Sequence, residues 1–456
     1  MIQSRCFSSL TNLAAVVLLS AGTPYSTNAA DPVVAGYYPY WVGDVYAPEA
    51  VPFDCLTHVM HAFVWPSSDG TLEQPWQFGA ARLVAAAHRA GKKAVVSVGG
   101  WGQSDGFSSM AADSVSRSTF VQNLAAFCIA NGYDGADIDW EFPANSLDRR
   151  NLNRLVLDLR SAFDASGRDL LVTLAVPAGN WGGQWFDFTT LAQSADWLGC
   201  MTYDFFGSWS PRAGHNSPLH PPAQNDNGSV EAAVKYLCDV RGVQASKVLT
   251  GIPFYGRGCD AAGYDRPNRG GNTEYAYSEI VPLIGNGWSI HWDAVAQVPF
   301  LTDTGSTRFI SYDDTTSVRL KCEYTRSEEL AGVMVWALGQ DRIGDDQPLL
   351  ETVGRSMGIK GGIPETTDPS SIAMLNNYPN PFNRQTVLSF ALPGETKVRI
   401  EVFNTRGERV AIAFDGTAHA GLNAVSFDAG DLASGVYAYR LTGPAFKRTG
   451  KMTLIR

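Results

Sequence analysis

The sequence between residues 33 and 358 alternates apolar, strand-like runs with amphipathic, helix-like stretches. Because parallel strands need long return connections, this alternation favours a fold in which each strand is followed by a helix. Eight strand candidates predict an α/β fold, a (β/α)8 TIM barrel. A doubly wound open sheet is the alternative, but no glycine-rich phosphate loop follows the first strand. The candidates are residues 33–41, 56–65, 93–101, 134–142, 169–178, 195–207, 247–256 and 331–339.

Two further regions complete the predicted domain organisation. Between the seventh and eighth strand candidates, residues 287–314 predict a small β insertion over the barrel mouth. We therefore assign residues 31–358 to the barrel. Residues 359–372 contain "GGIPETTDPSS" and are typical of a linker. Residues 373–456 show short alternating runs separated by turn residues, which predicts a small, all-β, Ig-like sandwich.

The N-terminal residues 1–30 resemble a signal peptide. Arg5 is their only charged residue, an apolar run follows at residues 13–22, and the small residues Thr27 and Ala29 suit cleavage after Ala29, with Ala30 nearly as good. Ten apolar residues are too few to span a bilayer, so we expect export rather than anchoring. The sequence therefore predicts a secreted protein without a membrane span.

Composition limits the partners and cofactors. Acidic residues outnumber basic ones by 45 to 35, which argues against a nucleic-acid partner because phosphates require a basic face. Cysteines show no metal-ligand spacing, and His215 has no obvious metal partner, so it is expected to be a structural loop residue. We expect no metal, no cofactor and a monomer. Cys259 and Cys322 are a plausible disulfide pair.

The stretch "DGADIDWEFP" at residues 134–143 carries the chemistry. Asp137, Asp139 and Glu141 occur at every second position and therefore share one face of a strand. Adjacent buried carboxylates cannot all ionise cheaply, so at least one is expected to keep a proton at neutral pH. Glu141 ends the strand before Pro143, at the barrel mouth, where a raised pKa suits a general acid. The alternative is a structural row of acids paired with Lys or Arg, but neighbouring strands show no obvious inward-facing partner.

These residues resemble the DGxDxDxE signature of the family 18 glycoside hydrolases, the chitinase family. Four other segments resemble the third, sixth, seventh and eighth strands of that family, in the same order. They are "SVGGW" (97–101), "MTYDFFGSW" (201–209), "GIPFYGR" (251–257) and "VMVWALGQD" (333–341). The resemblance covers the whole barrel.

The resemblance implies retaining hydrolysis in which the N-acetyl group of the substrate is the nucleophile. It implies that Glu141 is the general acid and base, and that Asp139, backed by Asp137, orients the acetamide and stabilises its positive charge. Tyr203 would donate a hydrogen bond to the acetamide oxygen. The implied substrate-binding residues are Trp336, Asp204, Met201, Arg257, Tyr255, Trp101, Tyr38 and Phe63.

The implied substrate is chitin or its oligomers, built of β-linked N-acetylglucosamine. Related hydrolases that act on N-glycan cores or peptidoglycan are the alternative within the family. Members that have lost the acid bind sugars as lectins, but Glu141 is present here. Further tryptophans after strand ends are equally consistent with sugar stacking and with packing. They are Trp41, Trp181, Trp185 and Trp209.

The C-terminal module resembles the type A sorting domain of proteins exported by the bacterial type IX system. The resemblance rests on residues 378–382, 402–410 and 435–441. It implies the secretion machinery as a partner and a location outside the cell or at the outer-membrane surface. A plain Ig-like appendage and a chitin-binding module are the alternatives.

Overall fold

The structure is a computed structural model. It describes residues 31–359, 373–378, 380, 382–392, 395–418, 421–444 and 446–455. The predicted signal peptide at residues 1–30 lies outside the described residues, as does the predicted linker apart from Ile359. Two prolines of the 378–382 segment, Pro379 and Pro381, also lie outside them.

Eight parallel strands form a closed barrel, and each of the eight strand candidates contains one of them. The first strand, Val33–Pro39, pairs with the second, His58–Pro66, and also with the eighth, Gly332–Trp336, and each strand from the second to the seventh pairs with the barrel strands before and after it in the sequence. This closure confirms the predicted barrel and rules out the open sheet. The strands β1 to β8 are Val33–Pro39, His58–Pro66, Lys93–Gly99, Gly135–Asp139, Leu171–Pro177, Trp197–Met201, Val248–Pro253 and Gly332–Trp336.

Helices surround the barrel. The two longest begin at residues whose side chains cap the first turn: Asp113 accepts from the N–H groups of Val115 and Ser116, and Asn145 caps the helix after β4 in the same way. The α-helices are Ala80–Arg89, Asp105–Ala112, Ser114–Asn131, Ser146–Ala165, Asn180–Gly183, Phe188–Ser194, Val230–Lys235, Tyr277–Ile280, Thr315–Ser327 and Pro348–Ser356. Shorter helical turns are Tyr40–Val42, Pro48–Ala50, Phe53–Cys55, Tyr236–Val240, Ala245–Lys247 and Val281–Leu283.

The alternation of side chains along each strand produces two apolar layers. In β1, Val34 and Tyr38 pack in the large core that the helices cover, whereas Ala35 and Tyr37 belong to a separate cluster inside the barrel. Bulky residues fill this interior cluster, so the barrel is a packed core rather than a channel. Chemistry is consequently confined to the rim at the carboxyl ends of the strands.

The insertion between β7 and β8 is larger than predicted. Its five antiparallel strands are Tyr255–Asp260, Thr273–Ala276, Trp288–Asp293, Val298–Asp303 and Arg308–Ser311. The insertion begins at Tyr255 because the chain leaves the barrel after Pro253. The strand Tyr255–Asp260 pairs with Arg308–Ser311 and not with a barrel strand. The predicted range 287–314 therefore covers three of the five strands.

The C-terminal region is all-β, as predicted. One sheet contains Ala373–Tyr378, Gln385–Leu392 and Gly421–Asp428, and a second contains Thr396–Phe403, Arg409–Ala418, Gly435–Gly443 and Phe446–Leu454. Buried side chains of both sheets, including Phe390, Ile400 and Leu441, share one core. Among the residues described, we find no helix with both the length and the apolar character needed to cross a membrane.

The suggested disulfide between Cys259 and Cys322 is wrong. Both cysteines are buried and reduced. Cys259 packs with Phe206 and Phe309 under the insertion sheet, whereas Cys322 belongs to the core between the barrel and its helices. The two thiols lie in different apolar clusters, and each serves as a small core side chain.

Candidate active site

The row of acids on β4 lies as the alternation predicts. Ala136 and Ile138 pack outward in the helix-covered core, so Asp137 and Asp139 point into the barrel. The strand ends at Asp139, and Glu141 follows two residues later at the rim. The carboxyl groups therefore run from the barrel interior to its mouth.

Asp137 is the deepest of the three and is held by hydroxyl groups from three other strands of the barrel. Its Oδ2 accepts hydrogen bonds from Tyr37 at 2.9 Å and Ser97 at 2.7 Å, and its Oδ1 accepts one from Thr173 at 2.7 Å. Burial raises the pKa of Asp137, and these three hydrogen bonds oppose that rise. The three donors make Asp137 the carboxyl of the row that is best prepared to carry a negative charge.

Asp139 lies between two other acids and is almost fully buried. Burial raises its pKa well above the ordinary value, and the charges of Glu141 and Asp137 raise it further. Its Oδ1 is buried and has no hydrogen-bond partner among the described residues. The surroundings of Asp139 therefore favour its protonated form, and the side chain presents one unpartnered oxygen to whatever enters the site.

Glu141 has the pKa that a general acid requires. Burial raises this pKa to about 7, the charge of Asp204 contributes to the rise, and a hydrogen bond from the Trp101 backbone opposes it. The Glu141 N–H donates to Ser104 Oγ at 3.0 Å, and that hydroxyl lies within 3.3 Å of the Asp139 carbonyl oxygen. Ser104 therefore ties the chain on both sides of Trp140 and holds Glu141 at the rim. It carried no signal in the sequence.

A tight turn after β3 passes beside the acid row. Gly99 has φ of +106°, and a Cβ atom there would lie 2.2 Å from the Asp139 carbonyl oxygen. Only glycine fits this close approach. The glycines of "SVGGW" accordingly allow the turn after β3 and do not take part in the chemistry.

A second cluster of charged and hydroxyl groups forms where the loop after β6 meets the first strand of the insertion. The guanidinium of Arg257 donates to both carboxylate oxygens of Asp204, at 2.5 and 2.7 Å, and the Tyr255 hydroxyl donates to Oδ1 at 2.6 Å. Arg257 also lies 5.5 Å from the ring centre of Trp209. This cluster brings together three of the predicted binding residues and supplies the charge that acts on Glu141.

Tyr203 lies between the two clusters. Its pKa is raised well above the ordinary value by burial and then by the charges of Asp139, Glu141 and Asp204. The hydroxyl therefore stays protonated and can donate a hydrogen bond. A Cβ atom at Gly251 would lie 2.7 Å from the Tyr203 ring, so glycine on β7 leaves the room that the ring occupies.

Aromatic rings form an apolar floor beside the acids. Trp336 at the end of β8 lies 5.6 Å from the ring of Phe63, 5.7 Å from Tyr37 and 6.4 Å from Trp41. Met201 packs at the edge of the same interior cluster. A flat, half-buried indole in this position suits the apolar face of a sugar ring.

One predicted binding residue is misplaced. Tyr38 faces the helices, where it is 2% exposed, packs against Tyr46 and donates a hydrogen bond to the Tyr46 carbonyl. Tyr37 takes the position facing the site, because its hydroxyl contacts Asp137 and its ring contacts Trp336. A shift of one residue along a strand exchanges its two faces.

The other tryptophans after strand ends differ in exposure. Trp101, Trp181, Trp209 and Trp41 are 79%, 74%, 62% and 53% exposed, which leaves their rings available for stacking. Trp185 is only partly exposed. The first four remain candidate sugar contacts.

His215 is a buried loop residue. Its Nε2 lies 3.0 Å from an Asp293 carboxylate oxygen, and its ring stacks on Tyr264 at 4.4 Å. It thereby joins the loop after β6 to the insertion sheet. Within the described ranges, no three His, Cys, Asp or Glu side chains are grouped as metal ligands.

The profile of family 18 of the glycosyl hydrolases matches residues 33–341, which is the whole barrel and its insertion. The chain belongs to this family. Residues 376–454 match the secretion system C-terminal sorting domain. The two resemblances inferred from motifs are therefore confirmed.

Similar proteins carry chitinase names. A probable endochitinase of Caenorhabditis elegans is 31% identical over 356 residues, which cover 69% of this chain and 57% of that protein. Chitinase A1 of Niallia circulans is 33% identical over 315 residues, covering 61% of this chain and 44% of that protein. The chain thus spans about half the length of these two relatives. A crystal structure of Ostrinia furnacalis Group IV chitinase in complex with allosamidin is 26% identical, with a TM-score of 0.68, covering 73% of this chain and 100% of that one.

The raised pKa of Glu141 predicts a pH-dependent effect on stability. A carboxyl whose pKa is higher in the folded state destabilises the fold only above the unfolded pKa, near 4.5, and the penalty is complete above the folded pKa of about 7. Glu141→Gln should therefore raise the free energy of unfolding at pH 8 by ~3 kcal/mol and leave it unchanged at pH 4. Denaturant unfolding at the two pH values measures this.

Glu49→Gln is the matched control for that experiment. Glu49 is exposed and ion-paired with Arg82, and its pKa is lowered by that pairing. Its replacement should not stabilise the protein at pH 8. An equal gain from Glu141→Gln at both pH values would contradict the assigned cause.

Proposed function

We propose that the barrel is a chitinase that hydrolyses β-1,4-linked N-acetylglucosamine polymers with retention of configuration. The observation that carries this proposal is the one-sided acid row, which ends in a rim carboxyl with a pKa of about 7. A conventional retaining pair needs a second carboxylate placed to attack from the other side of the bond. Here the three acids follow one another along a single chain segment, which suits a reaction whose nucleophile belongs to the substrate.

Each acid then has a role. Glu141 protonates the oxygen of the leaving sugar and afterwards removes a proton from the attacking water. The acetamide oxygen of the substrate attacks the anomeric carbon, and the ring that forms carries a positive charge. Asp139 receives the acetamide N–H on its unpartnered oxygen, and its proton passes to the Asp137 carboxylate, so that the negative charge is left on Asp139 beside the positively charged ring. Tyr203 donates its hydroxyl hydrogen to the acetamide oxygen and orients it.

The surrounding residues bind the sugar at the cleavage position. Trp336 stacks beneath the ring, supported by Phe63 and Tyr37. Asp204, fixed by Arg257 and Tyr255, accepts hydrogen bonds from substrate hydroxyl groups. Met201 fills the space at the bottom of the site, and the exposed ring of Trp101 stacks on a neighbouring sugar.

Two alternatives remain distinct from this proposal. An endo-N-acetylglucosaminidase or a peptidoglycan hydrolase would share the same mechanism, because both substrates carry the acetamide. A chitin-binding lectin would lack turnover altogether, and an intact Glu141 with a raised pKa argues against it.

We also propose how the chain is divided and where it acts. Residues 1–30 are a signal peptide, 31–358 the catalytic barrel, 359–372 a linker and 373–456 the sorting domain. The sorting-domain match over residues 376–454 supports export through a dedicated secretion system. The mature enzyme is then secreted or held at the outer-membrane surface, and acts as a monomer on chitin or chitooligosaccharides.

A comparison of acetylated and deacetylated substrates tests this mechanism. The N-acetylglucosamine pentamer should be cleaved, and the glucosamine pentamer, which has no acetamide nucleophile, should not. Proton NMR in the first minutes should show the new reducing end in the β configuration. Cleavage of both pentamers, or an α product, would contradict substrate assistance, and binding without cleavage would favour the lectin.

A further inference from the structure

The backbone that carries Tyr203 and Asp204 is held in an unusual conformation. Asp204 has φ of +61°, in the left-handed region that non-glycine residues rarely adopt. Such a conformation is unfavourable for a residue with a side chain and persists only where the surroundings fix it. The contacts that fix it should therefore be as important to the site as Asp204 itself.

Asn216 supplies those contacts. Its Oδ1 accepts a hydrogen bond from the Asp204 N–H at 3.2 Å, and its carbonyl oxygen accepts one from the Phe205 N–H at 3.1 Å. Two consecutive backbone donors are thus bound by one residue from the following loop. Asn216 itself is fully buried.

Asn216 is in turn fixed to the insertion sheet. Its Nδ2 donates to the Tyr255 carbonyl oxygen at 3.3 Å, and its backbone N–H donates to Ser311 Oγ at 2.9 Å. Tyr255 and Ser311 lie on adjacent strands of that sheet. The same amide group therefore joins the backbone of Asp204 to the strand that carries Tyr255 and Arg257, the two residues that hold the Asp204 carboxylate.

A buried ion pair anchors the loop next to Asn216. Ser217 Oγ donates to the Thr202 carbonyl oxygen at 2.6 Å, and Lys321 Nζ donates to Ser217 Oγ at 2.7 Å. Lys321 also contacts both carboxylate oxygens of Asp313, at 2.7 and 2.6 Å. All four side chains are almost completely buried. Breaking a buried ion pair is costly, so this anchor is rigid.

We propose that Asn216 is a positioning residue for the reaction proposed above, because it fixes the backbone of Asp204 so that its carboxylate faces Glu141 and the bound sugar. Asn216 does not touch the reacting atoms. It acts through Asp204, whose charge adds to the effect of burial in raising the pKa of Glu141. The inference rests on the proposed function for its kinetic consequences, but its structural consequence can be measured without turnover.

The first test is Asn216→Ala, which removes both side-chain hydrogen bonds. We expect kcat on the N-acetylglucosamine pentamer to fall by about tenfold or more, with a smaller change in KM. Because the charge of Asp204 is no longer held beside Glu141, the alkaline limb of kcat/KM should move to lower pH. Asn153→Ala is the matched control: Asn153 donates to Asp187 at 3.0 Å between two outer helices, and its loss should leave kcat and the pH profile unchanged.

Asn216→Asp is the second variant, and it covers the case in which the alanine variant does not fold. It keeps an oxygen that can accept from the Asp204 N–H and loses only the donor to the Tyr255 carbonyl oxygen. We therefore expect it to retain more activity than Asn216→Ala and to keep the alkaline limb closer to the wild-type pH. The proposal would be overturned if the alkaline limb of kcat/KM moved equally and in the same direction in both variants. It would also be overturned if Asn216→Ala had the wild-type kcat and pH profile.

Carbon-13 NMR of glutamate-labelled protein provides the readout that is independent of activity. The resonance that disappears in Glu141→Gln identifies Glu141, and its titration should shift to lower pH in Asn216→Ala but not in Asn153→Ala. If the wild type shows no turnover, the proposed function fails while this titration still decides the positioning role. An unchanged Glu141 titration in folded Asn216→Ala would refute the role of Asn216.

Discussion

Replacement of Glu141 by Gln is expected to lower kcat on chitooligosaccharides by about 10²–10⁴-fold, the range typical of a lost general acid. The amide matches the carboxyl in size but cannot transfer a proton to the leaving oxygen. The backbone contacts of residue 141 to Ser104 do not involve its side chain, so they persist in the variant. Steady-state hydrolysis of the N-acetylglucosamine pentamer by the purified mature protein measures the effect.

Binding and turnover should separate in this variant. The aromatic floor under the sugar and the Asp204 cluster remain intact, so the dissociation constant for the pentamer should change by less than about threefold. Calorimetric titration of Glu141→Gln with uncleaved pentamer measures this. Glu49→Gln is the control for this variant. Glu49 is an exposed glutamate in a surface ion pair with Arg82, so its replacement should leave kcat at the wild-type value. Retention of more than a tenth of wild-type kcat by Glu141→Gln would exclude it as the general acid.

The acid row shows why parts of the site can be predicted from sequence. Alternation along β4 assigns Asp137 and Asp139 to one face without any knowledge of the partners, since a strand has only two faces. The strand-ending Pro143 then places Glu141 at the rim. The same local argument does not reveal that Asp137 accepts three hydroxyl donors, because these come from three other strands.

The errors have the same origin. On β1 two tyrosines stand side by side, so alternation alone cannot decide whether Tyr37 or Tyr38 faces the site. The sequence does not show that the insertion starts at Tyr255, because only Phe254 separates the end of the seventh strand at Pro253 from the first insertion strand. An even number of cysteines does not show that Cys259 and Cys322 meet, because a disulfide requires their Cβ atoms within about 4.5 Å.

Residues that act through other residues are the hardest to predict. Ser104 and Asn216 are ordinary loop residues in the sequence, and their importance comes from contacts with backbone groups that are distant along the chain. Lys321 is similar, because a lysine on an amphipathic helix normally faces solvent and only the fold shows that this one is buried against Asp313. The roles of these residues can be recognised only in the folded barrel, where the loops after β3, β6 and β7 meet at one rim.

Replacement of Asp139 by Asn should lower kcat by about 10²–10³-fold, the scale measured when a single group that stabilises transition-state charge is lost. Burial and the neighbouring carboxylates raise the pKa of Asp139 and so favour its protonated form, and an asparagine has nearly the same shape and can donate in the same way. Folding and sugar binding should therefore be preserved. The defect arises only when the acetamide becomes positively charged, because Asn cannot release a proton toward Asp137 and supply the opposing charge.

Asp134→Asn is the control from the same sequence stretch. Asp134 lies just before β4, where its carboxylate accepts hydrogen bonds from the Ala94 N–H and from His88, both at 2.8 Å. It is an acid of the motif at the far end of the strand from the rim, so its replacement should leave kcat within about twofold of the wild type. If Asp139→Asn and Asp134→Asn lost activity equally, the loss would come from a disturbed fold of β4 and not from the chemistry of Asp139. A large loss in Asp139→Asn alone, with pentamer affinity maintained, would place the developing positive charge beside Asp139, as the substrate-assisted mechanism requires.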